Sequence, residues 1–267
     1  MKKILKLPNI YLFIVFAILY IPIFYLMFYS FNSGGTMHSF EGFTLDWYKE
    51  LLSDTRLLII VLNTVIIALL SALISTILGV AGALAIYYSK KNRTKNTLLS
   101  FNNVLIVSPD VIIGASFLIL FTMVGNKLGF VSVLLAHIAF SVPIVVIMVL
   151  PKLEEMSTSM IYAAKDLGAS NFDVLTKVIL PYITPGIFAG FFMALTYSLD
   201  DFAVTFFVTG NGFSTLSVEI YALARLGISL NINALSTLLF LFTLILVIIY
   251  YFITKRSKAN TSKMEGK

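Results

Sequence analysis

One segment of the chain is especially informative about the fold, and it reads Tyr162-Ala163-Ala164-Lys165-Asp166-Leu167-Gly168-Ala169-Ser170-Asn171-Phe172-Asp173. Residues 158–167 are good helix formers, and Gly168 follows them where a left-handed C-cap belongs. Ser170 and Asp173 have the spacing of a capping box, which starts a new helix. The sequence therefore predicts two short helices joined at a glycine corner.

The surroundings of this corner form a polar loop. It lies between Pro151 and Pro181, and we expect Pro181 and Pro185 to delimit the second short helix because proline disrupts helix interiors. Alanines at positions 163, 164 and 169 keep bulky side chains away from the corner. The corner therefore has a shape that could fit into a groove of a partner protein.

The composition on either side of this loop is that of a membrane protein. Of the 267 residues 59% are hydrophobic and 12% are charged, and the mean hydropathy is +0.96. A soluble domain carries about 25% charged residues, so the chain is expected to lie in a bilayer. Cysteine is absent from the sequence, which excludes disulfides, thiolate metal sites and cysteine nucleophiles.

Long runs without formal charge predict the membrane spans, since about 20 apolar residues cross a bilayer. Six helices are the economical interpretation, and the expected fold class is an all-α membrane protein. We place the six helices near residues 9–31, 58–88, 98–122, 130–150, 184–208 and 233–254.

The lysines and arginines predict the orientation of these spans. With the N-terminus inside the cell, 15 of the 19 basic residues lie on the cytoplasmic side, as the positive-inside rule requires. Both termini are then cytoplasmic, and we read the first span as a retained helix rather than a cleaved signal peptide. The formal charge of +6 is explained by this bias, so we expect contact with membrane lipid and not with nucleic acid.

Three regions follow from this arrangement. Residues 1–56 are predicted to hold the first helix and an outer loop, residues 57–255 the main transmembrane domain with the cytoplasmic loop 152–182, and residues 256–267 a basic cytoplasmic tail. The outer loop contains an amphipathic stretch that starts at Trp47 and predicts a short interfacial helix. Trp47 is either a bilayer-edge anchor or a residue near the outer mouth of a pathway.

Small residues recur every four positions in the second helix, at Ser71, Ser75, Gly79 and Ala83. Such a face allows the backbone of another helix to come close. The pattern predicts tight helix packing and carries no information about a ligand.

Three acidic residues fall within the predicted spans, and ionisable groups there usually face a polar cavity or a partner. Asp110 is about 12 residues into the third helix, roughly 18 Å along it, and Pro109 precedes it. Asp200 and Asp201 follow Ser198 about two thirds across the fifth helix. Because the spans contain no lysine or arginine, these carboxylates favour a cationic solute as the substrate.

Structural alternatives remain open for the same residues. Asp200 and Asp201 could end the fifth helix at the outer interface or bond to Ser198 and Thr205, and Asp110 could bond to backbone groups freed by Pro109. His137 and His38 have no neighbouring ligand pattern, so ordinary packing or solvation is expected for both. We find no catalytic constellation and no metal-ligand pattern in the sequence.

The loop between the fourth and fifth spans resembles the EAA motif of ABC importer permeases. The residues that match in type and spacing are Ala163, Ala164, Gly168, Ala169, Val178, Leu180 and Pro181. Tyr162 stands where that family usually has glutamate, and Leu175 where it often has phenylalanine. The resemblance implies a type I ABC importer permease (MetI-like) fold.

Four further segments resemble the second permease subunit of spermidine/putrescine importers. They are Gly42–Tyr48, Pro109–Ile112, Ser198–Phe202 with Phe207–Gly210, and Asn231–Thr237. Polyamines are extended polycations, so this resemblance and the three membrane carboxylates point to the same substrate class. Permeases for ferric iron or thiamine share the fold and remain an alternative, as does a secondary transporter that needs no ATPase.

The resemblance also implies partners and site residues. In that family the loop docks on a separate ATPase, a role that would fall here to Tyr162, Ala163, Ala164, Asp166, Gly168 and Ala169. This chain has no phosphate-cradling Gly-x-x-x-x-Gly-Lys run, so ATP and magnesium would be used by the ATPase and this chain would bind no cofactor. The expected partners are a second permease subunit, an ATPase dimer and an extracytoplasmic polyamine-binding protein at a bacterial cell membrane. The residues expected to line the substrate pathway are Asp110, Ser198, Asp200, Asp201 and Trp47.

Overall fold

The computed structural model describes residues 6–226, 230–241 and 244–245. Within these residues the regular structure is helical, apart from one isolated bridge between Asn32 and Phe43. The all-α prediction is therefore confirmed. In chain order the helices are α1 (Lys6–Tyr29), α2 (Asp46–Ser53), α3 (Thr55–Tyr87), α4 (Asn92–Val107), α5 (Asp110–Met123), α6 (Phe130–Glu155), α7 (Thr158–Asp166), α8 (Asn171–Val174), α9 (Leu180–Asp200), α10 (Ala203–Val208), α11 (Leu216–Leu226) and α12 (Leu230–Leu241).

Four of the described helices are long and apolar enough to cross a membrane: Asn9–Tyr29, Thr55–Tyr87, Phe130–Glu155 and Asn171–Asp200. The pair α4 and α5 supplies a fifth span if the two count together. The predicted sixth helix begins in the shorter apolar helix α12, and most of its predicted range beyond residue 241 lies outside the described residues. The predicted tail 256–267 also lies outside them, and the predicted domain boundaries stay predictions.

The predicted third helix is not continuous, and this corrects the depth assigned to Asp110. The axes of α4 and α5 meet at 104°. Ser108 and Pro109 are extended, with ψ angles of 138° and 133°, because a residue before proline avoids the helical region and proline offers no N–H. Asp110 is consequently the first residue of α5 and not a residue midway along a straight span.

The fifth span begins earlier and ends earlier than predicted. Pro181 and Pro185 do not delimit a separate helix, since the helix runs from Asn171 to Asp200. Ahead of Pro181 the residues Leu175–Ile179 form a π-helical turn. This wider turn shifts the hydrogen-bond register where Pro181 cannot donate. At the other end the predicted continuation to residue 208 was wrong, because α9 ends at Asp200 and α10 is a separate helix.

The chain divides into two compact units. One comprises the chain up to Leu58 together with the segment from Ile220 onward, and the other comprises Ile59–Glu219. The second unit contains two apolar clusters, which hold Val149, Leu153 and Ile183 in one case and Ile67, Val133 and Val204 in the other. All six of these side chains are at most 1% exposed, so the centre of each cluster is shielded from solvent.

Small residues let α3, α6 and α9 pack closely in the second unit. The predicted stripe on α3 is confirmed, since Ser71, Ser75 and Ala83 are fully buried and a Cβ at Gly79 would lie 2.5 Å from Val145 Cβ on α6. A second stripe with the same spacing, which was not predicted from the sequence, lies on α9. Its members Gly186, Gly190, Ala194 and Ser198 are all buried. Both stripes place backbone against backbone, which favours van der Waals packing between membrane helices.

Candidate translocation and coupling sites

Asp110 is exposed at the break between α4 and α5, and its carboxylate accepts a hydrogen bond from a residue of another span. The Tyr197 hydroxyl on α9 donates a hydrogen bond of 2.8 Å to Asp110 Oδ1. Tyr197 is 38% exposed, and its ring meets Phe140 of α6 edge-on at 5.0 Å. A carboxylate, a phenol and an aromatic face therefore lie together, and these groups can bind an alkylammonium ion.

Asp200 and Asp201 are neighbours in sequence but have different surroundings. Asp200 is the last residue of α9 and is exposed. Asp201 is only 9% exposed, and its carboxylate accepts hydrogen bonds from the backbone N–H groups of Val204 (3.3 Å) and Thr205 (2.8 Å). It also accepts one from the Thr205 hydroxyl at 2.6 Å. Asp201 thus caps the start of α10 and ends the span, which is the structural alternative raised by the sequence.

Ser198 is part of a buried polar cluster. Its Oγ lies 2.6 Å from His137 Nδ1 and accepts a hydrogen bond of 2.9 Å from Ser71 Oγ. The other ring nitrogen of His137 lies 2.8 Å from Thr205 Oγ1. The expectation that His137 is packed is confirmed, and its two ring nitrogens join α9 to α10. Of the five predicted pathway residues, Asp110 and Asp200 are exposed, whereas Ser198 and Asp201 belong to this interior cluster.

Tyr197 was not predicted as a site residue from the sequence, and no role beyond packing was predicted for His137. The four-residue spacing of Gly186, Gly190, Ala194 and Ser198 could have shown that Ser198 faces inward. No local pattern links Tyr197 to Asp110. Within residues 6–226 and the short stretches after them, no group of three or more acidic or histidine side chains is arranged to hold a metal ion.

Trp47 belongs to the first unit. Its position on the short helix α2 confirms the amphipathic helix predicted for the outer loop. The indole Nε1 donates a hydrogen bond of 2.8 Å to the backbone carbonyl of Asn32. The Asn32 side chain is fully buried and donates to the carbonyls of Thr36 and Ser39 at 2.7 Å each. Trp47 therefore holds a compact outer loop that Asn32 organises.

The predicted glycine corner is confirmed in detail. Helix α7 ends at Asp166, and Gly168 follows with a φ angle of 84°. Its N–H donates to Lys165 O at 2.9 Å, and the N–H of Ala169 donates to Ala164 O at 3.0 Å. The predicted capping box is present, with Asp173 N donating to Ser170 Oγ at 3.1 Å.

The corner presents an apolar surface on one side and packs inward on the other. Ala164 and Ala169 are half-buried against the core, whereas Ala163, Asp166 and Gly168 are exposed. The large apolar side chains around it are uncovered: Tyr162 is 65% exposed, Phe172 73% and Leu167 90%. Large apolar side chains left exposed within one short segment are typical of a contact with another protein.

The long apolar helices indicate a multi-pass membrane protein with an exposed corner at Gly168, and comparison with known families gives its class. The family described as "Binding-protein-dependent transport system inner membrane component" matches residues 75–262. The chain belongs to this family. It is therefore a non-catalytic, multi-pass subunit of a membrane transport system.

Curated relatives cover almost the whole chain. A spermidine/putrescine transport system permease protein PotC from Escherichia coli K12 is 38% identical over 252 residues, which are 94% of this chain and 95% of the relative. The PotC protein of Haemophilus influenzae is 37% identical over 94% of this chain and 97% of its own length. A putrescine transport system permease protein PotI from Escherichia coli K12 is 34% identical over 84% of this chain and 82% of its own length.

Solved structures share the fold at low sequence identity. A bacterial ABC transporter involved in the import of the acidic polysaccharide alginate has a TM-score of 0.73 at 17% identity and covers 94% of both chains. An inward-facing MetNI methionine ABC transporter has a TM-score of 0.62 at 18% identity and covers 76% of this chain and 96% of its own. These likenesses confirm the predicted importer permease fold.

Proposed function

We propose that this chain forms half of the translocation pathway of an ATP-driven polyamine importer and couples that pathway to a separate ATPase. The observation that carries the proposal is the exposed Asp110 carboxylate at the break between α4 and α5, bonded to Tyr197. Among the described residues, none forms an ion pair with Asp110 or Asp200. Acidic groups without a basic partner in a span favour a cationic solute, and the relatives named above are polyamine permeases.

In this proposal Asp110 and Asp200 meet the polyamine directly. Ser198 and Asp201 contribute by supporting the end of α9, and Trp47 shapes the outer loop. The exposed ring of Tyr197 beside the Asp110 carboxylate suits a chain of ammonium groups and methylene segments, because ammonium ions bind carboxylates and aromatic faces while methylenes pack on the ring.

The cytoplasmic corner is the proposed contact with the ATPase. Tyr162, Ala163, Ala164, Asp166, Gly168 and Ala169 would be its coupling residues. Together with Tyr162, the exposed side chains of Leu167 and Phe172 supply the buried area that such a contact needs. ATP and magnesium are used on that ATPase in this proposal, and this chain binds neither. A second permease subunit and an extracytoplasmic binding protein complete the importer.

The test is uptake of radiolabelled putrescine and spermidine by the reconstituted complex with Asp110→Asn. We expect the initial rate to fall at least about tenfold, since removing a buried or aligned charge partner costs more than 1.4 kcal/mol. The matched control is Asp46→Asn in the outer loop. There the Lys49 ammonium and the Thr44 hydroxyl lower the pKa of Asp46, so the control removes an ionised carboxylate outside the proposed pathway.

Three outcomes decide between the candidate functions. Loss of uptake in Asp110→Asn with normal uptake in Asp46→Asn supports the proposal. Uptake of thiamine or ferric iron, with no uptake of polyamines, would assign the chain to another solute carried by the same fold. Polyamine uptake that continues without ATP or any ATPase subunit would instead identify a secondary transporter.

A further inference from the structure

A chain of hydrogen bonds runs through the interior of the second unit and joins four helices. It begins at Ser71 on α3, passes through Ser198 on α9 and His137 on α6, and ends at Thr205 and Asp201 around α10. Every side chain in it is at least nine-tenths buried. Buried polar groups that are all satisfied fix a unique packing arrangement.

The proton positions in this series of hydrogen bonds can be assigned by starting from the Asp201 carboxylate, which only accepts. The Asp201 carboxylate receives three hydrogen bonds, so the single hydroxyl proton of Thr205 points to Asp201 Oδ2. Thr205 Oγ1 must then accept the proton of His137 Nε2. In the neutral imidazole Nδ1 then carries no proton and accepts from Ser198, whose Oγ in turn accepts from Ser71.

Two routes lead from His137 to the exposed pair of Tyr197 and Asp110. One runs through Ser198, which holds the last turn of α9 next to Tyr197. The other runs through Phe140, whose ring centroid is 4.9 Å from that of His137 and 5.0 Å from that of Tyr197. The imidazole therefore supports the phenol through the backbone and through direct ring packing.

We propose that His137, held as the Nε2–H tautomer, is a positioning residue that aligns Tyr197 with Asp110 for the transported cation. The inference rests on the proposed function. His137 is fully buried and does not touch the solute in this proposal, so it acts through Tyr197. A histidine is suited to this place because only its ring offers a donor and an acceptor on opposite edges.

The test interrupts the series of hydrogen bonds at Thr205. It asks whether the resulting change in uptake depends on the Tyr197 hydroxyl. Thr205→Val keeps the side-chain volume and removes both the acceptor of His137 Nε2 and the hydroxyl that donates to Asp201 Oδ2. We expect the initial rate of putrescine uptake by the complete importer to fall at least about tenfold, since two buried hydrogen bonds are lost and a loss of about 1.4 kcal/mol already corresponds to tenfold. In a Tyr197→Phe background the same substitution should lower the rate less than twofold further.

Ser141→Ala is the matched control for this experiment. Ser141 lies on α6 one turn from His137, and its buried Oγ has no hydrogen-bond partner among the described residues. We expect its uptake rate to stay at the wild-type value. Equal fold-losses from Thr205→Val with and without Tyr197→Phe would overturn the positioning role. Unchanged uptake in Asp110→Asn would overturn the proposed function instead.

A spectroscopic measurement tests the tautomer independently of transport. The sequence contains two histidines, and His38 is exposed in the outer loop, so a His38→Gln protein has one imidazole. Nitrogen-15 NMR of this full-length protein in bilayers should show a protonated Nε2 and an unprotonated Nδ1. In Thr205→Val the Nε2 signal should shift, whereas a protonated Nδ1 in the His38→Gln protein would contradict the assigned chain.

Discussion

The Tyr197 hydroxyl donates a hydrogen bond of 2.8 Å to Asp110 Oδ1, which ties the last turn of α9 to the first turn of α5. These residues are 87 positions apart in the sequence. Asp110 begins α5 because Pro109 breaks the third span, and Tyr197 lies one residue before the buried Ser198. An exposed carboxylate is thereby held in one orientation at a break in a membrane helix.

Tyr197→Phe tests the importance of that orientation. The substitution keeps the ring against Phe140 and removes the hydroxyl that holds Asp110. We expect the initial rate of polyamine uptake to fall about three- to tenfold, as for loss of one hydrogen bond to a charged group. Tyr11→Phe is the control, because Tyr11 is 67% exposed on α1. Uptake unchanged by Tyr197→Phe would show that the hydroxyl does not orient the carboxylate.

Gly79 and Gly82 on α3 offer a matched test of helix packing. A Cβ at Gly79 would lie 2.5 Å from Val145 Cβ, whereas at Gly82 the nearest atom is Val146 Cγ2 at 3.4 Å. Gly79→Ala should therefore destabilise the protein by about 1 to 3 kcal/mol, the usual cost of overpacking. Gly82→Ala should be neutral or slightly stabilising.

The measurement is the melting temperature of each purified variant in detergent. We expect a clear decrease for Gly79→Ala and no decrease for Gly82→Ala. Equal melting temperatures for the two variants would mean that α3 and α6 can separate to admit a methyl group.

Gly168 tests the backbone conformation of the cytoplasmic corner. Its φ angle of 84° is left-handed, and no atom lies within 4 Å of a Cβ built there. Gly168→Ala should cost about 1 to 2 kcal/mol through backbone strain alone, and Gly168→Asn should cost less because asparagine tolerates this region.

Uptake rate and recovery of the ATPase in pull-downs of the complex are the measurements for this pair. Both should decrease more in the alanine variant than in the asparagine variant. The opposite order would show that side-chain bulk at the contact, and not the φ angle, determines coupling.

Asn32 is expected to determine the stability of the outer loop. Its Oδ1 accepts hydrogen bonds from the N–H groups of Gly34 (3.3 Å) and Glu41 (2.8 Å), and its Nδ2 donates twice. Asn32→Asp keeps the acceptors but loses both donors, so we expect destabilisation of about 1 to 3 kcal/mol. Limited proteolysis should cut the outer loop faster, while the exposed control Asn96→Asp should leave the cleavage rate unchanged.

Local features of the fold were predictable from the sequence. The capped corner at Gly168, the capping box of Ser170 and Asp173 and the small stripe on α3 all appear in the structure as expected. Where prolines intervene, prediction was poorer. Pro109 breaks a span that was predicted to be continuous. Pro181 leaves its helix intact, because the π-helical turn before it shifts the hydrogen-bond register where proline has no N–H to donate.

Candidate site residues were only partly predictable. The charge pattern identified Asp110, Asp200 and Asp201 as unusual, but it could not separate the exposed carboxylates from the one that caps α10. That distinction depends on where α9 ends, and Thr205 supplies the hydroxyl and the N–H that fix Asp201 there.

By itself the sequence determined the helical class, the membrane location, the capped cytoplasmic corner and the acidic character of the spans. Each of these depends on composition or on neighbours within about four residues, which act through backbone capping and helix periodicity. Tertiary structure alone decided two hydrogen-bonded pairs. Tyr197 and Asp110 are 87 residues apart in the sequence, and His137 and Ser198 are 61 residues apart. Such contacts depend on the rotation and depth of one packed helix against another, and no local pattern encodes them.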